Sequence, residues 1–343
     1  MELRFGSPFS GKNLEQLKQF LRGNGLKYDQ RIRFSVCALE GDAVAAAGSL
    51  DGRVLKCIAV SPGFQSEGLA AIIVTELVKE AGRRGLFHLF LFTRPEKEEL
   101  FGNLGFYTVE KTGAVLLMEN KWEGITRFVE ALPRPPGDIS PIGAVIVNCN
   151  PFTRGHQYLI ESAAARCGAL HVFVVSEDLS FFPADLRYEL VLKGIAHIPR
   201  VYPHPTGPYL ISAQTFPDYF FRESADPLDL NMELDLRIFA RRFALPLGIS
   251  RRFVGNEALD PLTAAYNRAM ERILPSFGIA VTEIPRLETG GGPVSASRVR
   301  ELLKKGDLEG TRDLVPPTTF ECLKRFQNPN PADSGTAPPG REF

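Results

Sequence analysis

The 343-residue sequence lacks several things that would assign it to whole classes of protein. It has no charge excess: 40 Lys and Arg balance 40 Asp and Glu, which argues against a general nucleic-acid or membrane-surface binder. No apolar run approaches the roughly 20 residues that cross a bilayer. The opening MELRFGSPFS holds no apolar core of a signal peptide, so no membrane and no export are expected. Five cysteines, Cys37, Cys57, Cys149, Cys167 and Cys322, follow neither a disulfide framework nor a zinc pattern. A reducing cytoplasm is the expected location. His88, His171, His197 and His204 show no ligand spacing and read as structural, although His204 lies in a loop, PHPTG, that could approach a phosphate. What is present, 44% hydrophobic and 23% charged residues, is ordinary for a globular chain with length for two domains.

The most informative stretch is Ile142–Ile160, IGAVIVNCNPFTRGHQYLI. Ile142–Val147 is a β-branched apolar run of strand length. Asn148–Arg154 carries turn residues, and Gly155 and His156 lead into a helical pattern over Gln157–Arg166. A helix N-terminus offers free N–H groups and the positive end of the dipole, which suits phosphate. Gly155 would let a ligand approach the backbone, and His156 would hydrogen-bond a phosphoryl oxygen. The plainer alternative is an ordinary βα turn. Cys149 reads as a small apolar filler behind the loop rather than a nucleophile. Near the C-terminus, VSASRVR (Val294–Arg300) opens a second helix, Arg298–Lys305. Ser295 and Ser297 suit capping or phosphate, and Arg300 has the fork that grips phosphate.

Thr153-x-Gly155-His156 with Ser295-Ala296-Ser297-x-x-Arg300 resembles the HxGH nucleotidylyltransferase superfamily, with Thr153 in place of the first histidine. Strands expected at Ile142–Val147, Leu170–Ser176, Val201, Arg252–Val254 (as an edge) and Ile279–Ile284 alternate with helices expected at Pro183–His197, Asp229–Phe243 and Thr263–Leu274. That alternation predicts a doubly wound parallel sheet of Rossmann type, with its site at the carboxyl ends of the strands. Arg187 could face those ends or be a solvated helix residue.

The front half reads as helix Leu14–Leu21, strands Phe34–Glu40, Ala43–Ser49 and Val54–Val60, a helix to about Arg84, strand Leu86–Phe92, helix Glu96–Leu104, and strands Phe106–Glu110 and Ala114–Met118. Gln65-Ser66-Glu67-Gly68-Leu69-Ala70 and Leu104-Gly105-Phe106 resemble the GCN5-related N-acetyltransferase fold, an α+β domain. The resemblance implies that Gln65, Ser66, Gly68 and Ala70 cradle the pyrophosphate of a coenzyme-A-like arm. Active members often carry a tyrosine acid where this chain has Phe101, which cannot donate a proton. The front domain is therefore read as a binder, not a catalyst. Domains are expected at 1–120 and 142–326. Between them lies 121–141, a helix over Asn120–Leu132 and the Pro-rich PRPPGDISP, with a disordered tail at 327–343.

CNPFTRGHQYLIE, VVSEDLSFFPADLRYELV, LISAQTFPDYFF, RFVGNEALDPLTAAYN and EIPRLETGGGPVSASRVRELL resemble the citrate lyase ligase family, over residues 1 to about 325. The resemblance implies an acid–thiol ligase that converts acetate and ATP to acetyl-AMP and pyrophosphate. The acetyl group then passes to the prosthetic-group thiol on the acyl carrier (gamma) subunit of citrate lyase. It implies His156 and Arg300 as catalytic, and nucleotide contacts from Asn150, Phe152, Thr153, Gly155, His156, Gly255, Glu257, Ser295, Ser297 and Arg300, with Mg²⁺ carried by ATP and no protein metal cage. Three other readings stay open: the analogous ligase of a malonate decarboxylase carrier, a nucleotidyltransferase acting on a phosphorylated small molecule, and a non-catalytic adaptor for a carrier protein.

Overall fold

The computed structural model describes residues 1–65, 67–177, 180–212, 227–256, 261–290 and 292–327. In chain order the first elements are β1 (Glu2–Gly6), α1 (Gly11–Gly23), β2 (Phe34–Glu40), β3 (Ala43–Asp51), β4 (Val54–Val60), α2 (Leu69–Arg83), β5 (Phe90–Thr93), α3 (Glu98–Gly102), β6 (Tyr107–Lys111), β7 (Leu116–Glu119) and α4 (Gly124–Glu130). Then come β8 (Ile142–Val147), α5 (Arg154–Ala164), β9 (Ala169–Val174), α6 (Ala184–Ile195), β10 (Val201–Pro205), α7 (Pro227–Ile238), a π-helical stretch (Phe239–Ala244) and α8 (Leu245–Leu247). The last are β11 (Ile249–Gly255), α9 (Pro261–Ile273), β12 (Ala280–Ile284), β13 (Glu288–Thr289), β14 (Gly292–Pro293), α10 (Ala296–Lys304) and α11 (Pro317–Gln327). The chain forms two compact units: Met1–Phe128 with α7, and Val129–Ser212 with the described residues from Phe239 onward. The expected tail beyond residue 327 lies outside the described residues.

The first unit is built on a seven-stranded sheet of order β1-β2-β3-β4-β5-β7-β6. All neighbours run antiparallel except β4 and β5. Period-two patterning in β2 sends Val36 and Ala38 to a core beneath α2, and Cys37 to a second core beneath α1. The parallel β4–β5 ladder holds only Val54↔Phe90 and Leu55↔Leu91, so the later residues of β4 are not bridged to β5. This mixed sheet with helices on both faces is the acetyltransferase-like α+β fold.

Several expectations change here: the strand anticipated at Leu86–Phe92 begins only at Phe90, and the helix anticipated over Glu96–Leu104 is confined to Glu98–Gly102. The helix anticipated over Asn120–Leu132 is confined to Gly124–Glu130. Asn120 is tied to the sheet instead, its side chain accepting from Leu89 N at 2.7 Å and donating to Phe87 O at 3.3 Å. Trp122 precedes α4, exposed, with its ring edge-on to Tyr107 at 5.1 Å. Strand β1, which the sequence pattern does not mark, pairs with β2 along its full length.

The second unit carries a five-stranded sheet of order β10-β9-β8-β11-β12, parallel throughout. The order reverses between β8 and β11, which places the topological switch at the carboxyl end of β8. Leu170, Val172 and Val174 of β9 face the core under α5 and α6 with Val145, Val147, Leu190 and Val191. The alternate residues face the other side, where Phe173 meets Phe243 edge-on at 5.6 Å. The strand expected as an edge at Arg252–Val254 is longer, Ile249–Gly255, and lies inside the sheet. Arg251 and Arg252 disguise it. Arg252 is buried with its guanidinium 5.0 Å from the Phe239 ring centre.

On that second face His171 Nδ1 and His204 Nε2 lie 2.7 Å apart, both rings buried. Their outer nitrogens, His171 Nε2 and His204 Nδ1, have no hydrogen-bond partner among the described residues. His204 is thus a core residue and does not approach a phosphate. Burial lowers both pKa values; Arg134 adds to the effect on His171, and His171 to that on His204. An unfolded histidine titrates near ~6.5. As pH falls below that value the unfolded chain therefore binds protons that the folded chain refuses. Stability should be fully present above about pH 6.5 and fall steadily toward pH 4, by up to about 1.4 kcal/mol per pH unit for each histidine. Melting temperatures of wild type and of His171→Gln/His204→Gln across that range check this; the double variant should show the shallower decline.

Candidate active site

Thr153 caps α5 and locks His156. The Thr153 hydroxyl accepts from His156 N at 3.3 Å, and His156 Nδ1 accepts from Thr153 N at 3.1 Å. Thr153 Oγ1 also lies 2.9 Å from Nδ1. A backbone N–H can only donate, so Nδ1 is the bare acceptor, and the neutral ring carries its proton on Nε2. His156 is half-buried, and its pKa is pushed down to about 4, by burial first and by the Arg286 charge second. At neutral pH the ring is an uncharged donor, aimed through Nε2.

Much of the helix N-terminus is already committed to the protein. Arg154 N donates to Leu314 O at 2.9 Å, and the Thr153 and His156 amides serve the cap. Among the described residues, only the Gly155 amide of Thr153–His156 has no such acceptor. A β-carbon on Gly155 would meet Val294 O at 3.0 Å. The missing side chain therefore admits the backbone of the second motif, a role not anticipated for it.

The two motifs converge as the sequence implies. Ser295 caps α10, accepting from Arg298 N at 3.2 Å. Arg300 donates to Asn150 O and, at 2.9 Å, to Ser297 Oγ; burial lowers its pKa. Asn150 Oδ1 accepts from Phe182 N at 3.0 Å. Phe152 departs from expectation. It is fully buried, packed against Gly194, with its ring stacked on His156 at 6.0 Å between centres. It supports the histidine from below and presents no face to a nucleotide. The Thr153 side chain is likewise buried and bound to His156, so it orients the histidine and does not hold phosphate directly. Gly255 ends β11, its carbonyl held by Asn267 Nδ2 at 3.0 Å; Glu257 lies outside the described residues. Cys149 is buried with its thiol pushed up by burial, unsuited to nucleophilic attack. The sequence reading missed Arg286, whose charge reaches His156 and whose Nε donates to Asn256 O at 2.8 Å.

In the first unit, Gly68 caps α2 at φ +69°, and a β-carbon there would meet nothing within 4 Å. The Gly68, Leu69 and Ala70 amides bond to no described acceptor, and Gln65 is exposed beside them. Ser66 lies outside the described residues. Phe101 is in the core with Phe106 and Leu116, so its position offers no proton donor.

A parallel sheet with a histidine-bearing loop at its switch point, met by an Arg motif from a later helix, is the arrangement expected of a nucleotidylyltransferase-type domain. Residues 142–323 match the model of the citrate lyase ligase C-terminal domain. A [Citrate [pro-3S]-lyase] ligase of Klebsiella pneumoniae is 42% identical over 91% of this chain and 93% of its own length. Its namesake from Escherichia coli is 41% identical, over 92% and 91%. The chain belongs to the citrate lyase ligase family. Among solved structures, pantothenate synthetase of Thermus thermophilus aligns with 54% of this chain and 69% of its own, at 19% identity and a TM-score of 0.35.

Among the described residues no helix is long and apolar enough to cross a membrane, and no group of three or more His, Cys, Asp or Glu could hold a metal ion.

Proposed function

We propose that this chain uses ATP to acetylate the thiol of the dephospho-coenzyme-A-type prosthetic group on the acyl carrier (gamma) subunit of citrate lyase. The carrying observation is the identity with enzymes named [Citrate [pro-3S]-lyase] ligase across nearly the whole of both chains. In the first step an acetate oxygen attacks the α-phosphorus of Mg²⁺-bound ATP and expels pyrophosphate. In the second the carrier thiolate attacks the acyl carbon of acetyl-AMP and expels AMP. Neither step needs a covalent enzyme intermediate, so the protein acts by positioning and electrostatics.

The neutral His156 donates through Nε2 to the α-phosphoryl oxygens, where charge grows, and the Gly155 amide donates beside it. Arg300, with Ser297, grips the β- and γ-phosphates, while Ser295 holds the start of the helix that carries them. Gly255 and Glu257 are assigned to the nucleoside. Residues 142–326 carry adenylation; residues 1–120 present the arm, with Gln65, Ser66, Gly68 and Ala70 at its pyrophosphate. The test is acetate-dependent exchange of labelled pyrophosphate into ATP, followed by free AMP once carrier is added. No exchange, or AMP retained in the product, would refute the reading.

Arg300 gives a sharper check. Arg300→Lys keeps the charge but cannot contact Asn150 O and Ser297 Oγ together. Exchange should fall about tenfold with the protein still folded. Wild-type exchange in the lysine variant would make Arg300 purely structural.

A further inference from the structure

Arg187 lies in the first turn of α6 with its side chain wholly buried. Its guanidinium gathers acceptors from three separate segments. Nε donates to Phe182 O, just before α6, at 3.0 Å. Nη1 donates to Asn148 O at 2.8 Å and Asn148 Oδ1 at 2.7 Å, past the end of β8, and to Val175 O at 2.8 Å, past the end of β9. Nη2 donates to Glu177 O at 2.6 Å. Asn148 opens the loop that runs to Thr153. The same loop is tied again to the segment before α6, where Phe182 N meets Asn150 Oδ1.

Strand ends leave carbonyls without ladder partners, and a buried carbonyl without a donor is costly. A planar guanidinium is the one side chain that can serve several such carbonyls from a fixed fork. Burying a cation is itself unfavourable, so this placement serves geometry rather than packing. We propose that Arg187 is a positioning residue for adenylation: it fixes the Asn148–Thr153 loop against the ends of β8 and β9, and so sets where the Gly155 amide and His156 Nε2 point. The proposal rests on the adenylation reading given above.

The experiment uses full-length protein and compares exchange kinetics with melting temperature. Arg187→Lys keeps a buried cation but reaches fewer acceptors. It should leave the fold intact, lower kcat for acetate-dependent exchange at least about tenfold, and change KM for ATP less than about threefold, because misaimed donors cost more in the transition state than in binding. Asn148→Ala removes one loop acceptor and leaves Arg187 in place. It should lower kcat in the same direction with an unchanged melting temperature. Guanidinium ion at millimolar concentration should restore part of the lost kcat in Arg187→Ala. A folded Arg187→Lys with wild-type kcat overturns the proposal, and so does unfolding of both the Lys and the Asn148 variants, which would make Arg187 a core residue only. Failure of the adenylation reading itself shows differently, as absence of exchange in the wild type.

Discussion

His156→Ala is expected to lower acetate-dependent ATP–pyrophosphate exchange about a hundredfold, corresponding to roughly 3 kcal/mol of transition-state stabilisation. ATP binding should weaken far less, because the donor matters most where charge develops. Alanine also strips Thr153 N and its hydroxyl of their acceptor at Nδ1, which is a stability cost in its own right. His156→Asn separates the two effects. Its amide oxygen can stand where Nδ1 stands and keep the cap, yet nothing then occupies the place of Nε2. Both variants should be slow, and the asparagine protein should melt closer to wild type. Wild-type exchange in a folded His156→Asn protein would remove the ring from the mechanism. With the pKa held at about 4, free-enzyme kcat/KM should show no acid limb near pH 6.5 attributable to this group.

Gly68→Asp is expected to split the two half-reactions. The aspartate would stand at φ +69°, a conformation that Asp tolerates better than most residues, and its β-carbon would meet nothing within 4 Å. The fold should survive. A carboxylate would then face the open amides at the start of α2, where a pyrophosphate is proposed to sit. Acetate-dependent exchange should stay near wild type, since that chemistry is assigned to the other unit. The carrier concentration for half-maximal thioester formation should rise at least about tenfold. A folded Gly68→Asp protein that acetylates carrier as well as wild type would end the assignment. So would wild-type enzyme that acetylates carrier from acetyl-coenzyme A without ATP, for that would make the first unit a catalyst despite Phe101.

The architecture was legible where patterns are local. Buried runs such as Ile142–Val147 and Leu170–Val174 announce parallel strands because both their faces are covered. The Thr153–His156 and Ser295–Arg300 motifs carry their own turn and cap chemistry. Elements defined by distant partners were not legible. β1 exists because β2 offers it an edge, β11 is disguised by two arginines, and α11 packs against α6. Within the site, the family resemblance implied ligand contacts for Phe152 and Thr153, and residue type suggested one for Gly155. The fold uses the first under His156, the second to fix its tautomer, and the third to admit Val294. Sequence names which residues gather at a site; it does not say which of them face inward to hold the others. Arg187 is the clearest case, a helical arginine that pattern alone cannot tell from a solvated one.

The contact between Gly155 and the Val294 carbonyl is one of main chain against helix start, so it is indifferent to the side chain at position 294. The site should accordingly tolerate exchange of Val294 for another β-branched residue but not a change of length between Gly292 and Ser295. An inserted residue there would shift the carbonyl off the glycine and carry Arg300 away from Asn150. In this part of the molecule the spacing along the chain, more than the choice of residue, keeps the two motifs in register.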